Sequence, residues 1–212
     1  MIGPQEDDCQ RDTIVLAHGL GGRPLLMRPM ARWLEQHFKR VINWGYPSLW
    51  SPIESHGKEF AGLLRQLDDD EAYGRIHLVG HSMGGIIARL ALAEYLPRRL
   101  GRFVMIAPPN RGSRVARRLA PHLGRFIPPI TQLTDDTAGF VCTLPQPTAP
   151  ELGIIAAELD FMVPEDNTRL GCECDHIVLP GLHSTLLWRQ ETAEQVRHFL
   201  ETGKFYRVTS ST

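Results

Sequence analysis

The sequence predicts an α/β fold, a mostly parallel sheet of about six strands with helices on both faces. Short apolar runs alternate with segments of helical periodicity along most of the 212 residues. Runs that are apolar throughout are typical of strands buried on both faces, as in a parallel sheet covered by helices. Because this length fits one domain, we expect residues 1–212 to form a single domain.

The predicted strands are short runs rich in β-branched and large apolar residues, such as TIVLA and RFVMIA. In chain order they are Thr13–Ala17, Arg40–Trp44, Arg75–Gly80, Arg102–Ala107, Gly153–Ala157 and His176–Leu179. Apolar residues at helical spacing predict helices between them, over Leu25–His37, Ile53–Leu67, Met83–Leu96 and Thr192–Glu201. Pro97 stops the third helix and Gly203 follows the fourth, as expected at helix ends.

The interval from Pro108 to Pro150 interrupts this alternation. It is rich in proline and arginine, and it follows a predicted strand. Long connections inside a compact domain usually have a function. We therefore expect a small cap or lid insertion over residues 110–150, above the carboxyl ends of the strands.

Charge and hydropathy exclude several classes of protein. The formal net charge is −1, so no overall attraction draws the chain to nucleic acid. No apolar run reaches the roughly 18 residues of a membrane-spanning helix. The start, MIGPQEDDCQRD, is acidic and lacks the basic and apolar regions of a signal peptide. These features predict a cytoplasmic protein.

The four cysteines, Cys9, Cys142, Cys172 and Cys174, are too few and too irregularly spaced for a disulfide framework. Reduced thiols are therefore expected. Cys172, Cys174 and His176 have a C-x-C-x-H spacing, but two ligands one residue apart on a loop are a weak metal signal. No metal or organic cofactor is predicted.

The stretch LVGHSMGG contains the pattern G-x-S-x-G between a predicted strand and a predicted helix. Gly80 and Gly84 flank Ser82 and permit a turn so tight that larger side chains would collide. Such a turn exposes the Ser82 hydroxyl near the positive amino end of a helix. A serine nucleophile also needs a base to take its proton and a carboxylate to orient that base.

With this motif in this context, the sequence resembles the α/β-hydrolase superfamily, in its lipase/esterase branch of triacylglycerol lipase-like and GPI inositol-deacylase-like proteins. The segments APPNRGS (107–113) and QLTDD (132–136) also resemble that branch. In the family the acid and the histidine follow the serine in the chain. The resemblance implies Asp160, in the loop DFMVP, as the acid and His183, in PGLHS, as the base.

Competing residues near these loops have simpler interpretations. Asp166 and Asp175 are the other candidate acids, and each is explained as a solvated loop carboxylate. His176 opens a strand, where a hydrogen-bonded structural histidine is usual. His81 is interpreted as a packing residue beside the serine.

The segment HGLGG, His18–Gly22, follows the first strand and resembles the H-G-x-x-G oxyanion loop of lipases. This resemblance implies two oxyanion donors, the backbone N–H groups of Leu20 and Met83. Because these are main-chain groups, their side chains need not be polar. His18 itself is interpreted as a structural hydrogen-bonding residue.

The expected function is that of a serine hydrolase that cleaves carboxylic esters of small molecules or lipids through an acyl-enzyme. A thioesterase or amidase would use the same residues, and a non-catalytic binding protein on this scaffold is a further alternative. The presence of Ser82, Asp160 and His183 together favours an enzyme.

Two features bear on the substrate. Eight arginines and no acidic residue lie between Arg98 and Arg125. Such a run is usually a solvated face, and the alternative is contact with an anionic substrate or membrane surface. Four large side chains after the second strand either line an acyl pocket or belong to the core: Trp44, Tyr46, Leu49 and Trp50.

Overall fold

Six parallel strands form one sheet, in a computed structural model that describes residues 12–147, 151–172 and 174–207. The strands are β1 (Thr13–Ala17), β2 (Arg40–Trp44), β3 (Ile76–His81), β4 (Leu100–Ile106), β5 (Leu152–Ala157) and β6 (Asp175–Leu179). Their order is β2-β1-β3-β4-β5-β6, and every neighbouring pair is parallel. The predicted fold class is confirmed. Cys9 and the acidic start of the chain lie outside the described residues.

The four predicted helices are present, with ends that differ by a few residues. They are α1 (Pro24–Leu34), α2 (Ile53–Asp69), α3 (Met83–Glu94) and α8 (Gln190–Thr202). Shorter helices that the periodicity did not indicate are α4 (Arg114–Leu123), α5 (Pro128–Gln132), α6 (Phe140–Thr143), α7 (Glu165–Thr168) and a 3-10 turn at Thr185–Trp188. The first three of these occupy the predicted cap interval.

The sheet separates two apolar cores. Alternate β1 residues point to opposite sides, so Val15 joins one core while Leu16 joins the other. On the first side α2 and α3 cover the sheet, with Phe60 and Ile86 buried. On the second side α1 and α8 cover it, with Phe199 buried. None of the helices in the described ranges has the length and apolar character needed to cross a membrane.

The arginine-rich run divides between the two ends of the sheet. Arg98 and Arg99 precede β4, and both bond the buried carboxylate of Asp68 through their backbone N–H and side-chain Nε groups. The hydroxyl of Tyr95 also donates to Asp68, at 2.8 Å. Burial alone would raise the pKa of Asp68, but these hydrogen bonds together lower it to about 2.

Arg102 also belongs to this end, where its Nε bonds Glu151 at 2.5 Å. The other five arginines follow the carboxyl end of β4, about 20 Å away along the strand. They are Arg111, Arg114, Arg117, Arg118 and Arg125. The run is therefore two separate groups, and the arginines at the amino end of β4 form structural ion pairs with Asp68 and Glu151.

We predict that Asp68→Ala lowers the free energy of unfolding by about 3 kcal/mol near neutral pH, because it leaves Arg98 and Arg99 without their buried carboxylate. The folded-state pKa of Asp68 lies below its ordinary value. Its contribution is therefore complete above about pH 5 and is lost as the pH falls toward about 2. Urea unfolding of both proteins across this range measures the difference.

Asp69→Ala is the matched control, since Asp69 is exposed and touches Arg98 at 3.6 Å only. This control should change stability by less than about 0.5 kcal/mol. Equal effects of the two substitutions would contradict the assignment to the buried carboxylate.

Candidate active site

Ser82 lies on a strained turn between β3 and α3, with φ 51° and ψ −124°. The turn requires glycine two residues before Ser82 and two residues after it. A Cβ on Gly80 would come within 2.6 Å of the Gly85 Cα, and a Cβ on Gly84 would collide with the Ala17 carbonyl. The Ser82 amide donates to the Ile106 carbonyl at 2.8 Å, which ties the turn to the neighbouring strand β4.

The structure brings Ser82, His183 and Asp160 into one line of contacts. Nε2 of His183 lies 3.0 Å from Ser82 Oγ, and Nδ1 of His183 lies 2.6 Å from Asp160 Oδ2. An ionised carboxylate can only accept, so Nδ1 carries the proton and Nε2 is left to accept from the serine hydroxyl. This tautomer is the one that a general base needs.

The loop after β5 is held so that Asp160 faces the histidine. Its second oxygen, Oδ1, accepts from the amides of Met162 and Val163, both at 2.9 Å. Ser113 donates its hydroxyl to the Met162 carbonyl at 2.7 Å, which links the loop to the start of α4. The Asp160 side chain is only 1% exposed, so the pair with His183 is shielded from water.

The competing residues lie elsewhere. The Asp166 side chain is 91% exposed, beside Arg169. Asp175 accepts from the Phe205 amide and pairs with Arg207. His176 contacts the Thr168 hydroxyl at 2.9 Å, which agrees with the structural role expected for it.

His81, next to the serine, has a more specific role than packing. Its Nε2–H donates to the backbone carbonyl of His183 at 3.1 Å. Burial, together with the nearby His183, lowers the pKa of His81 to about 3, so the ring is neutral at physiological pH. This bond fixes the His183 backbone, and the sequence carried no signal for it.

The two residues predicted to supply oxyanion amides are Met83, which follows the serine, and Leu20, which lines the same cavity as Ser82. Met83 opens α3, where the first-turn N–H groups have no intrahelical partner, and Leu20 lies on the loop beside Gly19 in the cavity wall. Among the described residues, no backbone acceptor takes a hydrogen bond from either amide. Both are therefore available to a ligand oxygen.

Residues 18–23 connect β1 to α1 and are called the Leu20 loop. Three side chains from the end of β2 and the loop after it donate to backbone carbonyls of this loop and of the first residue of α1. The bonds are Tyr46 Oη to His18 O at 2.5 Å, Asn43 Nδ2 to Pro24 O at 2.7 Å and Ser48 Oγ to Gly22 O at 3.4 Å. The Tyr46 ring also stacks on the His18 ring, with centroids 4.3 Å apart. Burial raises the pKa of Tyr46 above its usual range, so its hydroxyl stays a donor.

A cavity of about 140 Å³ opens beside Ser82 and His183. Its walls are mainly apolar and come from the loop after β1, α1, α4, the segment at α5 and the Asp160 loop. The apolar side chains are Leu20, Leu26, Val115, Ala116, Leu119, Ile130, Leu133, Met162 and Val163. The aromatic residues after β2 do not line it. Trp44 and Tyr46 pack on each other, and Trp44 also contacts Phe60 in the core, whereas Trp50 is exposed.

Outside this cavity, the described part of the chain has a second pocket and no cluster of metal ligands. A depression of about 660 Å³ between α1 and α8 is lined by Trp33, His37 and Tyr206 among others, and it contains neither Ser82 nor His183. Within the described ranges, no three His, Cys, Asp or Glu side chains are grouped as metal ligands would be.

The alpha/beta hydrolase family matches this chain over residues 14–202. The chain belongs to that family.

Two relatives match this alpha/beta hydrolase over part of its length. One is a Pantoea ananatis protein named as a carbamate hydrolase, RutD, at 35% identity over 50% of this chain and 39% of its own. The other is a Mycoplasma pneumoniae protein named as an esterase/lipase. It is 31% identical over 46% of this chain and 37% of its own length. The matches thus cover less than half of each relative's length.

Solved structures of low identity share the hydrolase fold. The Bacillus licheniformis lipase BlEst2 in mature form superposes with a TM-score of 0.70 at 18% identity, over 92% of this chain and 93% of that one. An esterase from Thermogutta terrifontis gives a TM-score of 0.62 at 18% identity, over 91% and 90%. At this identity the likeness concerns the fold alone.

We predict that Tyr46→Phe slows labelling of Ser82 by a fluorophosphonate about tenfold. The substitution removes the bond to the His18 carbonyl but keeps the ring stack, so the Leu20 amide is less well placed for the phosphonyl oxygen. The lost hydrogen bond should lower the free energy of unfolding by only about 1 kcal/mol. Stopped-time labelling and thermal melts measure the two effects.

Tyr206→Phe is the matched control, because Tyr206 is exposed and remote from the cavity beside Ser82. Labelling of Tyr46→Phe at the wild-type rate would show that the Tyr46 hydroxyl does not position this loop.

Proposed function

We propose that the protein is a serine hydrolase that cleaves carboxylic esters through an acyl-enzyme intermediate. The observation that carries this proposal is the unbroken contact from Ser82 Oγ through His183 to the shielded carboxylate of Asp160. The named relatives support hydrolysis as the general reaction.

In the first step Ser82 Oγ attacks the ester carbonyl, and its proton passes to Nε2 of His183. The resulting imidazolium lies beside Asp160, whose negative charge stabilises it in a site shielded from water. His183 then gives the proton to the leaving alcohol as the ester C–O bond breaks. Water, deprotonated by the same histidine, releases the acid and restores the serine.

Charge on the carbonyl oxygen is stabilised by the Leu20 and Met83 amides. Each such donor lowers the barrier by about 3 to 4 kcal/mol where measured by removal in related chemistry. Two main-chain donors held by the strained turn and by the Tyr46 bond need no rearrangement during the reaction. The α3 amino terminus adds a favourable field at the same place.

The cavity dimensions favour a short acyl group. About 140 Å³ of apolar space is close to the size of an engineered cavity that binds benzene, so it admits an acyl group of about six carbons. Buried Ile130 and Leu133 form part of the wall. We infer that short-chain esters are the substrates.

A carbamate or amide is the second candidate substrate class. It is favoured by the relative from Pantoea ananatis, which is named as a carbamate hydrolase. Attack on a carbamate, an amide or a thioester would use the same hydroxyl, imidazole and amides. The classes differ in the atoms bound to the carbonyl carbon, and direct comparison of matched substrates distinguishes them.

We predict that Ser82→Ala abolishes fluorophosphonate labelling and lowers turnover of p-nitrophenyl butyrate by at least about a thousandfold. Asp160→Asn should lower kcat by about a thousandfold or more, because the amide can favour the wrong imidazole tautomer. Initial rates at saturating ester give both values.

Asp166→Asn is the control for the acid, since it changes an exposed carboxylate outside the contact chain. Its kcat should stay within about twofold of the wild-type value. Loss of kcat in Asp166→Asn with retention in Asp160→Asn would reverse the assignment of the acid.

We predict that kcat/KM for p-nitrophenyl esters is highest from butanoyl to hexanoyl and at least about tenfold lower for palmitoyl, because longer chains exceed the cavity. Ile130→Ala removes part of the cavity wall and so enlarges the cavity, which should shift the preference to longer acyl chains. Leu123→Ala, outside the cavity wall, is the control. An unchanged profile in Ile130→Ala would place the acyl group elsewhere.

A further inference from the structure

The surface around α4 carries more positive charge than the carboxylates in the described ranges neutralise. Four of the five arginines after β4 are exposed and form no ion pair with a described residue: Arg111, Arg114, Arg118 and Arg125. The fifth, Arg117, pairs with Asp135 at 2.9 Å. No Asp or Glu occurs from residue 97 to residue 134, so nothing along this segment offsets the charge.

The same surface exposes large apolar side chains. Leu119 and Leu123 lie one turn apart on α4 and are each almost two-fifths exposed, and Phe126 just beyond the helix is 64% exposed. Leu26 and Met162, which line the cavity beside Ser82, are also exposed. Leu119 belongs to both sets, so the apolar surface of α4 continues into the cavity mouth.

Exposed leucine and phenylalanine side chains beside arginines match the chemistry of a lipid interface. Apolar side chains enter the boundary between headgroups and acyl chains, while guanidinium groups bind anionic headgroups. A nucleic acid would satisfy the arginines but leave Leu119, Leu123 and Phe126 in water. The combination therefore favours a bilayer over a nucleic acid.

We propose that α4 and its flanks, residues 111–126, dock on an anionic lipid surface and turn the cavity mouth toward it. The arginines at the amino end of β4 take no part, because they pair with Asp68 and Glu151 at the opposite end of the sheet. Docking is a binding function that needs no reaction at Ser82. The docking proposal can therefore be tested independently of the proposed hydrolysis.

The experiment is co-sedimentation of the full chain with vesicles of phosphatidylcholine alone or mixed with phosphatidylglycerol. Wild-type protein should bind only the mixed vesicles at low salt and be released at high salt, because screening weakens contacts between exposed charges. Ser82→Ala should bind as wild type does. The double variant Arg114→Glu/Arg118→Glu should bind at least about tenfold more weakly, since two cations become repulsive anions.

Arg28→Glu/Arg32→Glu is the matched control, with the same charge change and the same four-residue spacing on exposed positions of α1. It should retain most of the binding. Both double variants should show the circular dichroism spectrum and the melting temperature of the wild type, which shows that they are folded.

A second variant tests the apolar contribution. Leu123→Ser/Phe126→Ser keeps every arginine, and it should weaken binding to mixed vesicles several-fold. Absence of wild-type binding to mixed vesicles at low salt would overturn the proposal. Equal loss in the α1 control would also overturn it, as would binding to duplex DNA without binding to vesicles.

Discussion

The backbone conformation at Ser82 is the constraint on which the rest of the site depends. A residue other than glycine at positive φ costs about 1 to 3 kcal/mol, and it persists only where packing on both sides leaves no alternative. Here the packing is the close approach of α3 to β1, with Gly84 against the Ala17 carbonyl. Because the Leu20 loop begins just after Ala17, the same contact places Ser82 beside that loop, with Gly19 packed against the Ser82 side chain.

Most of the side chains and loops around the site are held in position by hydrogen bonds between a side chain and a main-chain group. Asp160 is aimed by two loop amides, the His183 backbone is held by His81, and the Leu20 loop is held by Tyr46. Main-chain partners suit this purpose, because their positions are set by the strands that precede each loop. A side-chain partner would itself need to be positioned, at a further cost in conformational entropy.

The sheet could be predicted because its signals are local, and the family resemblance pointed to the three side chains that the structure brings together. Each strand is a short apolar run, and Ser82, Asp160 and His183 each follow such a run in a recognisable loop. Helix α4 was not predicted, because it buries only Ala116 and its leucines face the cavity mouth and solvent. The Tyr46 bond joins residues 28 positions apart and has no local signature.

Net charge did not indicate how charge is distributed over the surface, because the two ends of the parallel sheet differ in how their arginines are paired. A formal charge of −1 averages two ends of a sheet that differ in kind. At the amino end Asp68 and Glu151 neutralise three arginines. At the carboxyl end the parallel topology gathers the loops that carry Ser82, Asp160 and His183. There Arg117 pairs with Asp135, whereas Arg114 and Arg118 of α4 pair with no carboxylate among the described residues. The surface of α4 is therefore locally rich in unpaired arginines although the chain is nearly neutral, and such exposed charges act over about a Debye length.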